Sequence, residues 1–184
     1  HLERAQICLL LVDADEGVTR QDAHVAGYAW DAGRGVVLVI NKWDLVEKDG
    51  TTMGEYVKDL RYRFKFLGNV PILFVSALTG QRVAKIMGEV EKIAAEFNRK
   101  VSTSALNKVL QGALEAHPPA IFRGKRLKFF YITQTAVRPP TFVIFVSKAE
   151  GVHFSYQRYL NNKIREAFGF IGVPFRVYYR DRER

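Results

Sequence analysis

The sequence predicts two modules in series, an α/β unit built on a parallel sheet and then a smaller α+β unit. Up to residue 98, apolar runs alternate with helical patterns, which is typical of parallel strands joined by crossover helices. From residue 99 the order becomes α-β-β-α-β, which is typical of a two-layer α+β module. The charge balance changes at the same point, so we expect domains at 1–98 and 99–184.

The net charge of +9 comes entirely from the second module. Residues 1–99 contain 13 Lys and Arg against 14 Asp and Glu, whereas residues 100–184 contain 15 against 5. The two parts therefore carry charges of −1 and +10. A module this basic favours a polyanionic partner such as nucleic acid, although a basic surface is sometimes only a solvated one.

Composition excludes several classes of protein. Apolar residues make up 48% of the 184 residues, which is enough for sizeable cores. The longest apolar runs, from Ile7 and from Val36, are much shorter than the roughly 20 residues that span a bilayer, so we expect no membrane partner. The single Cys8 lies in an apolar run, which favours a buried thiol in a reducing, cytoplasmic compartment. The start at His1 has neither Met nor a signal-peptide pattern, so we expect a larger protein.

The first module is predicted to contain three strands and three helices. The expected strands are Ile7–Val12, Val36–Ile40 and Ile72–Val75, and the expected helices are 21–32, 53–66 and 81–98. Because sheets usually contain about four to six strands, we expect this domain to continue before His1.

The second module is predicted to contain two helices and three strands. The first helix begins at a Ser102 or Thr103 N-cap and ends before two prolines. "KRLKFFYITQTAV" and "TFVIFVSKA" read as strands joined through Arg138, and helix 155–168 and a strand in "VPFRVYYRDR" follow.

Polar residues follow two neighbouring strands of the predicted parallel sheet. Asn41, Lys42 and Asp44 come after the second strand, and Ser76-Ala77-Leu78 comes after the third. Ligands of such sheets bind at the carboxyl ends of the strands, so we expect these two loops to be neighbours.

The chemistry of these residues suits guanine. A carboxylate such as that of Asp44 can accept both the N1 and the N2 donors of guanine, an arrangement that adenine cannot offer. A small residue at Ala77 lets a backbone N–H approach O6, and the Ser76 hydroxyl can brace the turn. The alternative is that Lys42 and Asp44 are only solvated loop charges.

The first module resembles the Ras-like GTPases. Asn41-Lys42-Trp43-Asp44 matches their NKxD motif, and Ser76-Ala77-Leu78 matches their SAK/SAL motif. The resemblance implies a partial Ras-like P-loop GTPase domain, without its N-terminal part, that binds GTP or GDP. It implies that Asp44 reads guanine, Asn41 ties the loops and contacts the base edge, and the Lys42 stem lies along the base. Ala77 is implied to meet O6, and Trp43 receives no role.

Residues for phosphate chemistry are missing from the sequence. It contains neither G-x-x-x-x-G-K-[ST] nor D-x-x-G. We therefore expect no catalytic residue and no metal site here, with the Mg²⁺ ligands in a region before His1 and the chain inactive alone. Asp13 and Asp15 are interpreted as loop and helix-start residues rather than metal ligands.

The second module resembles the KH-like domain of the bacterial Der (EngA) GTPases, which carry two tandem G domains before it. The agreement is most specific at Arg138-Pro139-Pro140-Thr141-Phe142 and from Tyr159 to Phe168. The resemblance implies a cytoplasmic bacterial GTPase in the maturation of the large ribosomal subunit. The implied partners are that subunit or its RNA and, within the protein, the other G domain, with no DNA.

Basic residues on the predicted strands and turns are the RNA candidates. They are Arg123, Lys125, Arg126, Lys128 and Arg138, and the alternative for up to half of them is an ordinary solvated charge. The only G-x-x-G, at Gly169–Gly172, reads as a helix-to-strand turn with apolar anchors rather than as an RNA clamp. Two other readings remain open, an Era-like KH GTPase and a binding module without nucleotide activity.

Overall fold

A computed structural model describes residues 5–67 and 69–182. The chain divides into two compact units. The first contains the chain up to Phe97 together with Ile171–Pro174, and the second contains Asn98–Phe170 and the chain from Phe175 onward. None of the described helices combines the length and the apolar character that crossing a membrane requires.

The first unit is built on a parallel sheet with strand order β1-β2-β3. Its elements are β1 (Ile7–Asp13), α1 (Arg20–Asp31), β2 (Gly35–Asn41), α2 (Thr52–Arg63), β3 (Ile72–Phe74) and α3 (Lys85–Asn98). β2 is the central strand, and it is buried from Gly35 to Ile40 because both faces of the sheet are covered. Val36, Leu38 and Ile40 face one core cluster, whereas Val37 and Val39 face another.

Two predicted helices are too long. The expected helix 81–98 begins only at Lys85, because Arg82 has a left-handed φ of 60° that no right-handed helix accepts. The expected helix 53–66 ends at Arg63 and is followed by a 3₁₀ turn, Lys65–Leu67. Phe64 is buried at this end, and Arg61 donates to the carbonyls of Leu67 and Val70, which turns the chain back toward the sheet.

The second unit is a three-stranded sheet in its described part, with two helices on one face. Its elements are α4 (Thr103–Ala116), β4 (Ile121–Phe122), β5 (Lys125–Arg126), β6 (Phe129–Val137), β7 (Pro140–Val146), α5 (Phe154–Phe168) and β8 (Arg176–Asp181). The strand order is β6-β7-β8, with β6 and β7 antiparallel and β7 and β8 parallel. Ser102 caps α4, as one of the two expected caps. The arrangement is the α+β, KH-like order that the sequence predicts.

A small hairpin precedes this sheet, and the sequence pattern does not predict it. The expected strand beginning at Lys125 is interrupted, because Lys125–Arg126 pair with Ile121–Phe122 before β6 starts at Phe129. Arg123 and Gly124 link β4 to β5 with φ of 49° and 75°, the positive values that a tight hairpin turn requires at both central positions.

The turn after α5 partly matches its prediction. Gly169 ends the helix at a φ of 84°, and its N–H donates to the Arg165 carbonyl at 2.8 Å. Phe170 is fully buried, but Ile171 is 55% exposed. Only one of the two apolar residues is therefore an anchor.

Candidate guanine-recognition site

The two candidate loops lie side by side at the carboxyl edge of the first unit's sheet. The Val75 N–H donates to the Ile40 carbonyl at 2.8 Å, and the Trp43 N–H donates to the Val75 carbonyl at 3.0 Å. These backbone bonds continue the β2 and β3 pairing past the ends of the strands. The loops are thus fixed to each other by backbone as well as by side chains.

Asn41 joins the two loops through its side chain. Its Oδ1 accepts the Ala77 N–H at 2.9 Å, across a separation of 36 residues in the sequence. Its own backbone carbonyl accepts the Ala14 N–H at 2.9 Å, so Asn41 lies between the β1 and β3 loops. The Asn41 amide therefore sets the position of the Ala77 backbone.

Asp44 has an unsatisfied acceptor. Its Oδ1 is shielded from solvent and has no hydrogen-bond partner among residues 5–67 and 69–182. A buried acceptor without a donor costs about 1–3 kcal/mol, so native proteins rarely keep one without a reason. Paired N–H donors of the kind that guanine carries at N1 and N2 would satisfy this carboxylate.

Lys42 is held by an acidic residue on the neighbouring strand. Its Nζ lies 2.5 Å from Oδ2 of Asp13, which is the β1 partner of Asn41 in the sheet register. The hydrogen bond to Asp13 raises the pKa of Lys42, and the hydrogen bond from Lys42 lowers the pKa of Asp13. Lys42 also has a left-handed φ of 59°, so the extended backbone of β2 ends at this residue.

Trp43 is a buried core residue within the motif. Its side chain is only 2% exposed and packs edge-on against Tyr56, with ring centroids 5.4 Å apart. The Phe74 ring centroid lies 4.4 Å from that of the indole. The indole therefore anchors the loop in the core while its polar neighbours remain at the sheet edge.

The second loop is braced by Ser76. This residue is fully buried, and its Oγ accepts the Thr79 N–H at 3.1 Å. Its backbone N–H donates to the Gln81 carbonyl at 3.1 Å, which closes the loop. Leu78, by contrast, is 89% exposed at the tip.

Basic residues of the second unit line a cleft of about 880 Å³. Four of the five RNA candidates border it, namely Arg123, Lys125, Arg126 and Lys128. Arg138 does not, because its guanidinium donates to Oδ1 of Asn98. Two carboxylates lie near this basic cleft, since Glu150 pairs with Arg123 at 3.2 Å and Asp181 pairs with Lys148 at 3.6 Å.

Comparisons with known proteins match both units of the chain to GTPases. A family model described as the elongation factor Tu GTP binding domain matches residues 1–96, and one described as KH-domain-like of EngA bacterial GTPase enzymes, C-terminal, matches residues 100–180. The GTPase Der of Syntrophotalea carbinolica is 61% identical over 181 residues, which are 98% of this chain and 41% of that protein. The chain belongs to the Der (EngA) family of GTPases. A Der GTPase from Trichlorobacter lovleyi is 50% identical over the whole chain and 41% of its own length.

This Der-family chain spans about two fifths of the length of those relatives. Among solved structures, Era of Aquifex aeolicus bound to GDP·AlF₄⁻ aligns over 98% of the chain and 66% of its own, with 16% identity and a TM-score of 0.44. A likeness this distant says nothing about function. The match of the second unit to the EngA domain favours the Der reading over the Era-like one.

Several residues at these sites in the Der-family chain are not predicted by the sequence pattern. Asp13 is expected to be a loop residue, yet it holds Lys42. Lys148 and Arg182 border the basic cleft, but each lies just after a strand whose signal is its apolar pattern. The uneven charge of the second unit is the available signal for the two cations, and nothing in the sequence singles out Asp13.

Proposed function

We propose that the two loops bind the guanine base of GTP or GDP. The observation that carries this proposal is the Asp44 carboxylate, whose Oδ1 is buried and lacks a partner in the described chain. Asp44 accepts the N1 and N2 donors of guanine, and the Lys42 stem lies along the base. Ser76, which braces the second loop, and Leu78, which lies at the tip of that loop, belong to the same site.

For O6 of guanine, we propose the Ala77 N–H as donor. This N–H is directed at Asn41 Oδ1, so we propose that Asn41 and guanine O6 share it as a bifurcated hydrogen bond. Asn41 then keeps the loops together and contacts the base edge with its amide.

We propose GTP hydrolysis only for a longer, Der-length protein that carries this chain. The phosphate loop that such chemistry needs is missing from the 184 residues, and the Mg²⁺ ligands are proposed to lie elsewhere in that protein. The 184-residue chain alone should show no GTP hydrolysis above background. Turnover by the isolated chain would overturn this division of roles.

The test of guanine recognition uses a change of base specificity. In the Der-length protein, Asp44→Asn should weaken GTP binding by roughly 10- to 1,000-fold, because a bidentate charged pair is lost. Xanthosine triphosphate, which presents an oxygen at C2, should recover part of that affinity. Asp31→Asn, an exposed carboxylate on α1, is the matched control. Unchanged GTP affinity in Asp44→Asn contradicts the proposal.

We infer that the second unit contacts ribosomal RNA during maturation of the large ribosomal subunit in the bacterial cytoplasm. Lys125, Arg126 and Lys128 support this, since all three are exposed on the basic cleft and form no ion pair within residues 5–67 and 69–182. Arg123 contributes after exchanging its Glu150 partner, and Arg138 contributes at a separate place. Phosphate contacts by such residues release counterions, so binding should weaken as salt rises.

Co-sedimentation with isolated large ribosomal subunits tests this inference. Lys125→Glu with Arg126→Glu should reduce co-sedimentation and flatten its salt dependence. The control is Lys108→Glu with Arg158→Glu, which reverses two exposed cations on α4 and α5 of the same unit. Equal effects of both pairs would indicate a nonspecific charge effect and would contradict a role for the cleft.

A further inference from the structure

The sheet of the second unit has one face that its helices do not cover. Side chains alternate along strands, and one set faces the helices. The core-facing residues of the three strands are Ile132, Phe142, Ile144, Val146, Val177 and Tyr179. The opposite set includes Tyr131, Phe145 and Tyr178, and we call it the outer sheet face. Tyr131 is 38% exposed and Tyr178 is 49% exposed.

Aromatic rings on the outer sheet face are already arranged as flat surfaces. Tyr131 and Phe145 are cross-strand partners whose rings stack with centroids 4.5 Å apart and planes 21° apart. Tyr178 lies on the next strand, where it pairs with Val143. Rings held by neighbouring strands lose little freedom when a flat ligand stacks on them.

Arginines share this face with the aromatic rings. Arg176 and Arg180 alternate with Tyr178 along β8, so all three side chains lie on the same side of the sheet. Arg176 and Arg180 are exposed and form no ion pair in the described part of the chain. Asp181 has the opposite parity and pairs with Lys148. The charge of the outer sheet face is therefore positive.

The outer sheet face continues into the basic cleft. The β6–β7 register shifts between Phe129 and Tyr131, and Phe130 lies at this irregularity and borders the cleft. The Arg182 guanidinium lies 4.8 Å from the centre of the Phe130 ring, and Arg182 borders the cleft as well. Cations and rings thus follow one another from the cleft toward Arg180 and Tyr178.

We propose that unpaired RNA crosses the outer sheet face, with bases stacked on Tyr178 and on the Tyr131 and Phe145 pair. Phosphates then contact Arg180 and Arg182 and continue into the basic cleft. Alternating aromatic rings and cations are the features that bind single strands, because every base has a stacking face and every phosphate a charge. The inference rests on the proposed RNA contact and names the form of RNA, single-stranded, and its binding surface.

Fluorescence of a short unstructured RNA containing 2-aminopurine tests the stacking. With the 184-residue chain, binding should quench the probe, and Tyr178→Ala should weaken affinity by about 5- to 100-fold and reduce the quenching. Tyr178→Phe keeps the ring and should retain both. Phe154→Ala removes an exposed ring at the start of α5 and should change neither. Thermal unfolding of each variant separates loss of binding from loss of fold.

The outcomes distinguish this inference from the broader one. One outcome is that the double variant Lys125→Glu, Arg126→Glu abolishes RNA binding while Tyr178→Ala and Tyr131→Ala leave it unchanged. In that case the second unit does bind RNA, but the proposal that RNA stacks on the outer sheet face is wrong. If RNA affinity is unchanged both by the charge reversals and by the tyrosine substitutions, both proposals fail. Ultraviolet cross-linking should place RNA on peptides containing Tyr131 or Tyr178. Cross-links confined to α4 and α5 would overturn the proposal that RNA crosses the outer sheet face. That face would then suit a protein partner better.

Discussion

Asp13 and Lys42 lie at the ends of neighbouring parallel strands, and their side chains meet with Oδ2 and Nζ 2.5 Å apart. The register pairs Asp13 with Asn41, so the ammonium of the next residue reaches across to the carboxylate. The Lys42 side chain is 53% exposed and that of Asp13 is 20% exposed, and an ion pair that solvent still reaches contributes little to stability. Its value lies in holding the Lys42 stem in one position at the proposed guanine site.

Replacing Asp13 should therefore affect nucleotide binding more than folding. Asp13→Asn retains an oxygen for the Asp15 N–H but removes the charge that holds Lys42. We expect GDP affinity of a Der-length protein to fall by up to about fivefold, with an unchanged unfolding midpoint. Isothermal titration calorimetry measures the first quantity and urea denaturation the second.

Asp15→Asn is the matched control for this prediction, because it alters an exposed carboxylate in the same loop without touching the ion pair. If Asp13→Asn and Asp15→Asn reduced GDP affinity equally, the cause would be the charge of the loop and not the position of Lys42.

A second prediction concerns pH and Asp49, which lies just before α2. Its Oδ1 accepts hydrogen bonds from the N–H and hydroxyl groups of Thr51 and Thr52. These bonds hold the pKa of Asp49 well below its ordinary value of 3.8. A depressed pKa in the folded state adds stability that is fully present above the ordinary pKa. That stability is lost as the pH falls from there toward the folded-state pKa.

Asp49→Ala should accordingly lower the urea midpoint at neutral pH, and the difference from the parent chain should shrink below about pH 4. Glu47→Ala is the matched control, because it removes a nearby exposed carboxylate that forms none of these bonds to Thr51 and Thr52. A gap between Asp49→Ala and the parent that is constant from neutral to acid pH would contradict the assignment.

The adjacency of the two loops that carry Asn41 and Ala77 is predictable from sequence, because parallel strands place their carboxyl ends at one edge of the sheet. The Asp13 and Lys42 pair is not predictable in this way, since that contact depends on the register of β1 and β2. The predicted start of α3 is wrong because the apolar stripe continues through residues whose backbone is set by the left-handed Arg82.

In the second unit too, only part of the candidate site is predictable from sequence. The charge excess predicts a basic surface, and four of the five chosen cations do border one cleft. Phe130 and Arg182 join it through an irregularity in β6 and the end of β8, and neither feature leaves a pattern in the sequence. Local spacing therefore predicts motifs and faces, while tertiary register decides which side chains meet.

Trp43 provides a third prediction, about the core beneath the motif. Because its indole is buried against Tyr56 and Phe74, Trp43→Ala should leave a cavity and lower the free energy of unfolding by about 3–5 kcal/mol. Leu45→Ala, two residues away but exposed, should change it by less than about 0.5 kcal/mol. Urea denaturation followed by circular dichroism measures both. Similar losses in the two variants would show that Trp43 is not an anchor.

Two glycines give opposite predictions for the same substitution. A Cβ at Gly35, the first residue of β2, would lie 2.6 Å from Ile93 Cγ2 and 2.8 Å from the Phe97 ring. Gly35→Ala should therefore force α3 away from the sheet and destabilise the first unit by about 1–3 kcal/mol. Gly88 lies inside α3, where an added methyl group would meet no described residue within 4 Å beyond its own stretch of helix. Gly88→Ala should stabilise by about 0.5–1 kcal/mol.

The paired glycine measurement isolates packing from propensity, since both changes add the same methyl group and both involve α3. Urea midpoints that move in opposite directions support the close approach of α3 to β2. If Gly35→Ala were as stable as the parent, that approach would be looser than described. Because β2 delivers Asn41 to the sheet edge, Gly35→Ala should also weaken GDP binding by the Der-length protein, whereas Gly88→Ala should leave it unchanged.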